Sequence, residues 1–72
     1  MKKGKIDIAL IVGGNIRKLR ITQKLSQSQL AYETGLTREF INRVENGNNN
    51  ISIKKLALIA EALNTPPKKL FE

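Results

Sequence analysis

Arg38, Glu39, Asn42 and Arg43 lie within six residues, and the steps from 38 to 42 and from 39 to 43 are each close to one helical turn. In a helix with Ile41 and Val44 turned inward, these four polar side chains share the opposite face. Each is of a type that reads a base edge in the DNA major groove. Arginine pairs bidentately with guanine, asparagine with adenine, and a glutamate carboxylate accepts from the cytosine amino group. One well-formed contact discriminates against a wrong base by about 1–3 kcal/mol. Any exposed helix face is polar, so the pattern needs a context that aims it at DNA. Glu39 and Arg43 also carry a second reading. An acid four residues before a base is the favourable order for an intrahelical ion pair, and Glu39 suits the positive end of the helix dipole. Glu39 therefore either meets a base or orients Arg43, and Arg43 is assigned to DNA.

The composition leans the same way. Among 72 residues, 13 Lys and Arg stand against six Asp and Glu, a net charge of +7. That balance favours polyanions, nucleic acid first and anionic membrane second. Cys and His are absent, which excludes disulfides, the usual zinc and haem ligands, Cys nucleophiles and His-based triads. The acids are scattered as Asp7, Glu33, Glu39, Glu45, Glu61 and Glu72, without a paired carboxylate. The expectation is a protein that is not an enzyme and takes no metal or other cofactor. Tyr32, Phe40 and Phe71 do not make a stacking platform for single-stranded RNA. The apolar run from Ile8 to Val12 is far shorter than the roughly 20 residues of a membrane span, and no small-x-small cleavage pattern follows it. A cytoplasmic protein with no membrane partner is expected.

Helical spacing organises the chain. Val12, Ile16 and Leu19 mark a first helix from about Asp7 to Lys24. Gly13 and Gly14 weaken it by about 1 kcal/mol each relative to alanine, so its firm part is expected to start near Asn15. Ser26-Gln27-Ser28-Gln29 has the form of a capping box that opens a second helix, carrying Leu30 and Ala31 inward and stopping at Gly35. Thr37 caps a third helix, Arg38 to about Asn46, closed by Gly47; after the loop Asn48-Asn49-Asn50, Ser52 caps a fourth. Ile53, Leu56, Ile59, Ala60 and Leu63 form the inward stripe of that fourth helix, and Pro66-Pro67 start a last turn through Leu70 and Phe71. The fold class is all-α, a compact bundle of four to five short helices. Residues 1–6 are expected to be a flexible basic leader and residues 7–72 a single domain. The charge is uneven: residues 1–24 hold seven Lys and Arg against one acid, +6, and residues 25–72 hold six against five, +1. Lys2, Lys3 and Lys5 form either an arm along the DNA backbone or a solubilising tail.

The second and third helices, joined by about three residues containing Gly35, have the signature of a helix-turn-helix. Ser26-Gln27-Ser28-Gln29-Leu30-Ala31, Gly35-Leu36-Thr37, Ile41-Asn42-Arg43-Val44-Glu45-Asn46-Gly47 and Ala60-Glu61-Ala62-Leu63 resemble the phage-repressor and Cro-like (Xre) family of DNA-binding domains. The resemblance runs from about Val12 to the C-terminus. With Ile16-Arg17-Lys18-Leu19-Arg20 and Lys69-Leu70-Phe71-Glu72, the chain looks most like the controller proteins of restriction–modification systems. The resemblance implies a lambda-repressor-like fold with the third helix in the major groove.

Phosphate contacts set register without reading sequence. The start of the second helix, with its free N–H groups and Gln27, suits a phosphate, and the resemblance gives that role to Gln27 and Asn46. Thr37 is either a cap alone or a cap and a DNA contact. Asn49 is also assigned to the backbone, although similar proteins often place Lys or Arg in this loop; the other reading is a turn of asparagines that tolerates left-handed φ. Similar domains pair an arginine of the first helix with the glutamate before Asn-Gly, which implies an Arg20–Glu45 ion pair. A lone domain reads too few base pairs for specificity. A homodimer on double-stranded DNA is therefore expected, with Ile51, Leu58, Leu70 and Phe71 as its interface and an inverted-repeat operator. RNA polymerase is a candidate further partner if the protein activates transcription, and no small-molecule effector is expected. The alternative is an antitoxin-like or protein-interaction module on the same scaffold.

Overall fold

A computed structural model describes residues 7–72; the leader assigned to residues 1–6 lies outside them. Four α-helices follow in order: α1 (Ile8–Thr22), α2 (Gln27–Thr34), α3 (Arg38–Glu45) and α4 (Ile53–Ala62), with a closing 3-10 turn at Pro67–Phe71. Among the described residues there is no strand. Each helix starts at a short polar side chain that accepts a first-turn N–H. Asp7 takes Leu10, Ser26 takes Gln29, Thr37 takes Phe40 and Ser52 takes Lys55. At α2 the box is reciprocal: Gln29 N–H donates to Ser26 Oγ at 3.0 Å, and Ser26 N–H donates to Gln29 Oε1 at 2.7 Å. Ser26→Ala is expected to lower stability by about 1 kcal/mol, measurable as a lower urea midpoint at unchanged slope.

Each helix also ends alike, with paired hydrogen bonds closing around one left-handed residue. Leu25 N–H reaches Arg20 O, Leu36 reaches Ala31 O, Asn48 reaches Arg43 O and Thr65 reaches Ala60 O. The left-handed residues are Lys24 (φ 62°), Gly35 (75°), Gly47 (74°) and Asn64 (55°). The turn after α3 therefore rests on Gly47, and Asn48, Asn49 and Asn50 do not adopt positive φ.

α1 lies against α3 and the closing turn, while α2 packs on α3 and α4. Ile16, Leu30, Ile41, Ile59, Leu63 and Leu70 are fully buried and meet at the centre, with Val12 and Val44 beside them. Two side-chain amides, one within α1 and one at its C-terminal cap, fasten the C-terminal part to this core: Asn15 Nδ2 donates to Leu70 O at 2.9 Å and Gln23 Nε2 to Leu63 O at 2.7 Å.

Three sequence expectations change. α1 runs unbroken from Ile8 through Gly13 and Gly14, because Val12 and Gly13 are themselves buried and tertiary packing outweighs a weak helix propensity. Ile53, placed on the inward stripe, is 86% exposed; it is the first residue of α4, and the buried stripe starts a turn later at Leu56. Leu70, assigned to the dimer interface, is 0% exposed. Pro66 and Pro67 turn the chain back so that Leu70 fills the core beneath α1, and it cannot offer a surface to a second copy.

Candidate nucleic-acid interface

α2 and α3 are joined by a turn of three residues, Gly35, Leu36 and Thr37. Leu36 is half-buried against the core, and Gly35 supplies the positive φ that lets the backbone reverse. Thr34, buried at the end of α2, donates its hydroxyl to the carbonyls of Leu30 (2.8 Å) and Ala31 (3.1 Å). The same Oγ1 accepts from Leu36 N–H at 3.3 Å. The angle between the two helices is thus held by hydrogen bonds at the turn and by Leu30, Ala31, Ile41 and Val44 in the core.

α3 is fixed from beneath and free above. Ile41, Val44 and Glu45 are its buried residues, whereas Arg38, Glu39, Asn42 and Arg43 are exposed, with Asn46 continuing their face at the C-terminal cap. The surface brought together is two guanidinium groups, one carboxylate and two amides on a helix that projects into solvent. Among the described residues, Glu39 and Arg43 form no ion pair within 4 Å. Phe40, half-buried, has the Lys55 ammonium 4.9 Å from its ring centroid, which places a cation of α4 beside α3.

Beneath this surface Arg20 of α1 grips Glu45 bidentately, Nε to Oε2 at 2.6 Å and Nη2 to Oε1 at 3.0 Å. Arg20 Nη1 donates to Leu25 O at 2.8 Å. The pair is desolvated, with side-chain exposures of 11% for Arg20 and 1% for Glu45. Gln27 Nε2 joins it, donating to Glu45 Oε1 at 3.1 Å and to Asn42 Oδ1 at 3.4 Å. Asn46 Nδ2 donates to the same Asn42 oxygen at 3.1 Å. Sequence reasoning missed these amide contacts. The Asn42–Asn46 step of four residues on one helix could have suggested theirs, but nothing in the chain announces that Gln27 reaches a residue fifteen positions away.

The residues assigned to phosphate are less uniform. The Gln27 side chain has its NH2 group engaged, and its carbonyl cannot donate to an anion; its backbone N–H, at the first turn of α2, has no intrahelical acceptor. Thr37 is exposed, and its oxygen accepts Phe40 N–H at 3.0 Å. Asn49 is half-buried and lines an apolar groove with Ile8, Val12, Ile51, Ile53 and Phe71; the structure does not bring it together with the α3 cluster. Of the residues assigned to an interface, Ile51 and Phe71 line that same groove, Phe71 being half-exposed, while partly exposed Leu58 is not among its lining residues.

Known proteins share this arrangement. A helix-turn-helix family model matches residues 16–70. Control protein C.SmaI of Serratia marcescens is 42% identical over 65 residues, covering 90% of this chain and 77% of its own. Control protein C.BamHI of Bacillus amyloliquefaciens is 34% identical over 67 residues, covering 92% and 83%. The crystal structure of the restriction-modification controller protein C.AhdI from Aeromonas hydrophila superposes with a TM-score of 0.85 at 36% identity, covering 88% of this chain and 96% of that one. The four helices, the α2–turn–α3 unit and a match over most of the chain lead to one assignment: the chain belongs to the helix-turn-helix family HTH_3.

Proposed function

We propose that this protein is a sequence-specific DNA-binding transcription regulator of the restriction–modification controller type. The observation that carries the reading is the division of α3 into a buried face of Ile41, Val44 and Glu45 and an exposed face of Arg38, Glu39, Asn42 and Arg43. A rigidly seated helix with base-reading side chains outward is what the major groove accepts. Arg38, at the first turn of α3, reads guanine, and Arg43 lies one turn further along. Glu39, which is not ion-paired with Arg43, accepts from a cytosine amino group. The α2 N-terminus at Gln27, the Thr37 hydroxyl and the Asn46 amide hold the flanking phosphates, with Asn49 in an outlying role.

The protein acts as a homodimer on an inverted repeat, with the two recognition helices about 34 Å apart. Ile51, Phe71 and Leu58 are the apolar residues offered to the partner. Regulation follows from occupancy, set by protein concentration and dimerisation.

The test is selection of bound duplexes from a random pool, followed by salt titration. The expected product is a palindromic consensus whose affinity falls steeply with salt. Arg38→Ala is expected to relax the consensus at one position of each half-site, costing about 1–3 kcal/mol against the preferred sequence. Uniform weakening with an unchanged consensus would move Arg38 from a base to the backbone. Binding without any sequence preference would overturn the proposal.

A further inference from the structure

The buried ion pair does more than tie α1 to α3. It sets the direction of every hydrogen bond that leads from it to the recognition surface. Glu45 is the carboxylate partner of Arg20, and a carboxylate only accepts. Gln27, whose amide touches Glu45 Oε1, must therefore turn its NH2 group inward; the reversed amide would set its carbonyl oxygen against a negative oxygen at 3.1 Å. That choice decides the next. The second N–H of the same nitrogen faces Asn42, so Asn42 must answer with its carbonyl oxygen. Asn46 Nδ2 donates to that oxygen as well. Both lone pairs of Asn42 Oδ1 are occupied, and the group left to face outward is its NH2.

We infer that Asn42 meets DNA as a hydrogen-bond donor only, and that it selects guanine, whose major-groove edge carries two acceptors, against adenine. An unrestrained asparagine favours adenine, because its carbonyl accepts from N6 while its NH2 donates to N7. Here the carbonyl is committed, and adenine N6 would be left without an acceptor. Guanine O6 and N7 both accept, and the Asn42 NH2 has two hydrogens to give. Gln27 is a positioning residue in this scheme: it passes the polarity of a buried charge outward to a base-reading side chain. The inference rests on the proposed role of α3 in the major groove and refines what one residue reads there.

The experiment starts from the selected operator. Asn42→Ala identifies the base pair beneath residue 42 as the one whose preference it erases. Dissociation constants are then measured for operators carrying guanine or adenine at that position. The wild-type protein is expected to favour guanine about tenfold. In the double variant Gln27→Ala/Asn46→Ala the Asn42 amide is released, and the guanine-to-adenine ratio is expected to fall to near unity or below. Asn42→Asp leaves Gln27 a partner but turns an acceptor outward, and should move the preference toward adenine. Asn42 and Asn46 are exposed, whereas Gln27 is half-buried and touches Glu45, so circular dichroism and urea unfolding are run on each variant and ratios are compared only among folded proteins. A wild-type preference for adenine, or a ratio unchanged in both the double variant and Asn42→Asp, would overturn the inference. So would a consensus that Asn42→Ala leaves untouched, and in that case the regulator reading stands. If no sequence is selected at all, both fail together.

Discussion

Glu45→Ala is expected to destabilise the domain by about 3–5 kcal/mol, the cost of leaving one member of a desolvated ion pair alone. Small domains are stable by about 5–15 kcal/mol in total, so the variant should be largely unfolded at modest urea concentrations. The Glu45 side chain is 1% exposed and accepts three hydrogen bonds, two from Arg20 and one from Gln27. Without it the Arg20 guanidinium keeps only Leu25 O as a protein partner, on a side chain that is 11% exposed. Arg20→Ala should be costly for the mirror-image reason. A surface ion pair of similar geometry would contribute no more than about 1 kcal/mol, so the size of the loss distinguishes the two cases. The double variant Arg20→Met/Glu45→Leu removes both charges and substitutes apolar volume. It should recover much of the stability lost by either single alanine variant, since what is expensive is the unpaired charge. Urea unfolding of the four proteins measures how much of the loss the paired removal recovers. A Glu45→Ala loss below 1 kcal/mol would mean that the pair is hydrated in solution.

The parts of this molecule that were legible in its sequence are those written in local chemistry. Ser26, Thr37 and Ser52 announce helix starts because a side-chain oxygen three residues before an N–H has few other uses. Gly35 and Gly47 announce stops because left-handed backbone is costly for most other residues. The left-handed end at Lys24 was not legible, because lysine is not a residue type that marks positive φ; there Lys24 N–H and Leu25 N–H close the turn on Ile21 O and Arg20 O. Leu70 shows the same limit from the other side. Beside Phe71, it looks like one more apolar residue of a terminal patch, and only the path of the chain after Pro66 decides that one is core and its neighbour half-exposed. Ile53 sits at helical spacing from Leu56, yet a helix's first residue is not held to the face that its later turns bury. On the exposed face of α3, residue types nominated Arg38, Glu39, Asn42 and Arg43. The outward hydrogen-bond polarity of Asn42 was not legible, because the contacts behind it come from Glu45 and Gln27, brought close only by the fold.

Adjacent glycines in α1 should respond to alanine with opposite signs. Gly14 is exposed, and a Cβ built there meets nothing within 4 Å. Gly14→Ala is thus expected to raise stability by about 0.5–1 kcal/mol through helix propensity. A Cβ at Gly13 would lie 2.0 Å from Val44 O and 3.1 Å from the carbonyl carbon and oxygen of Glu45. Those atoms are backbone at the C-terminal end of α3, and no rotamer change moves them away. Gly13→Ala forces α1 and α3 apart, at the upper end of the about 1–3 kcal/mol typical of overpacking or beyond it. Helix propensity offsets only about 1 kcal/mol of that. The strain also falls next to the Arg20–Glu45 pair, so separation of the two helices lengthens the hydrogen bonds that seat α3. Gly13→Ala should therefore weaken operator binding even at temperatures where the protein remains folded, while Gly14→Ala should leave it unchanged. Thermal unfolding of both variants beside the parent, with binding measured well below the transition, checks the pair. Equal stabilisation by the two substitutions would show that α1 and α3 do not approach this closely in solution.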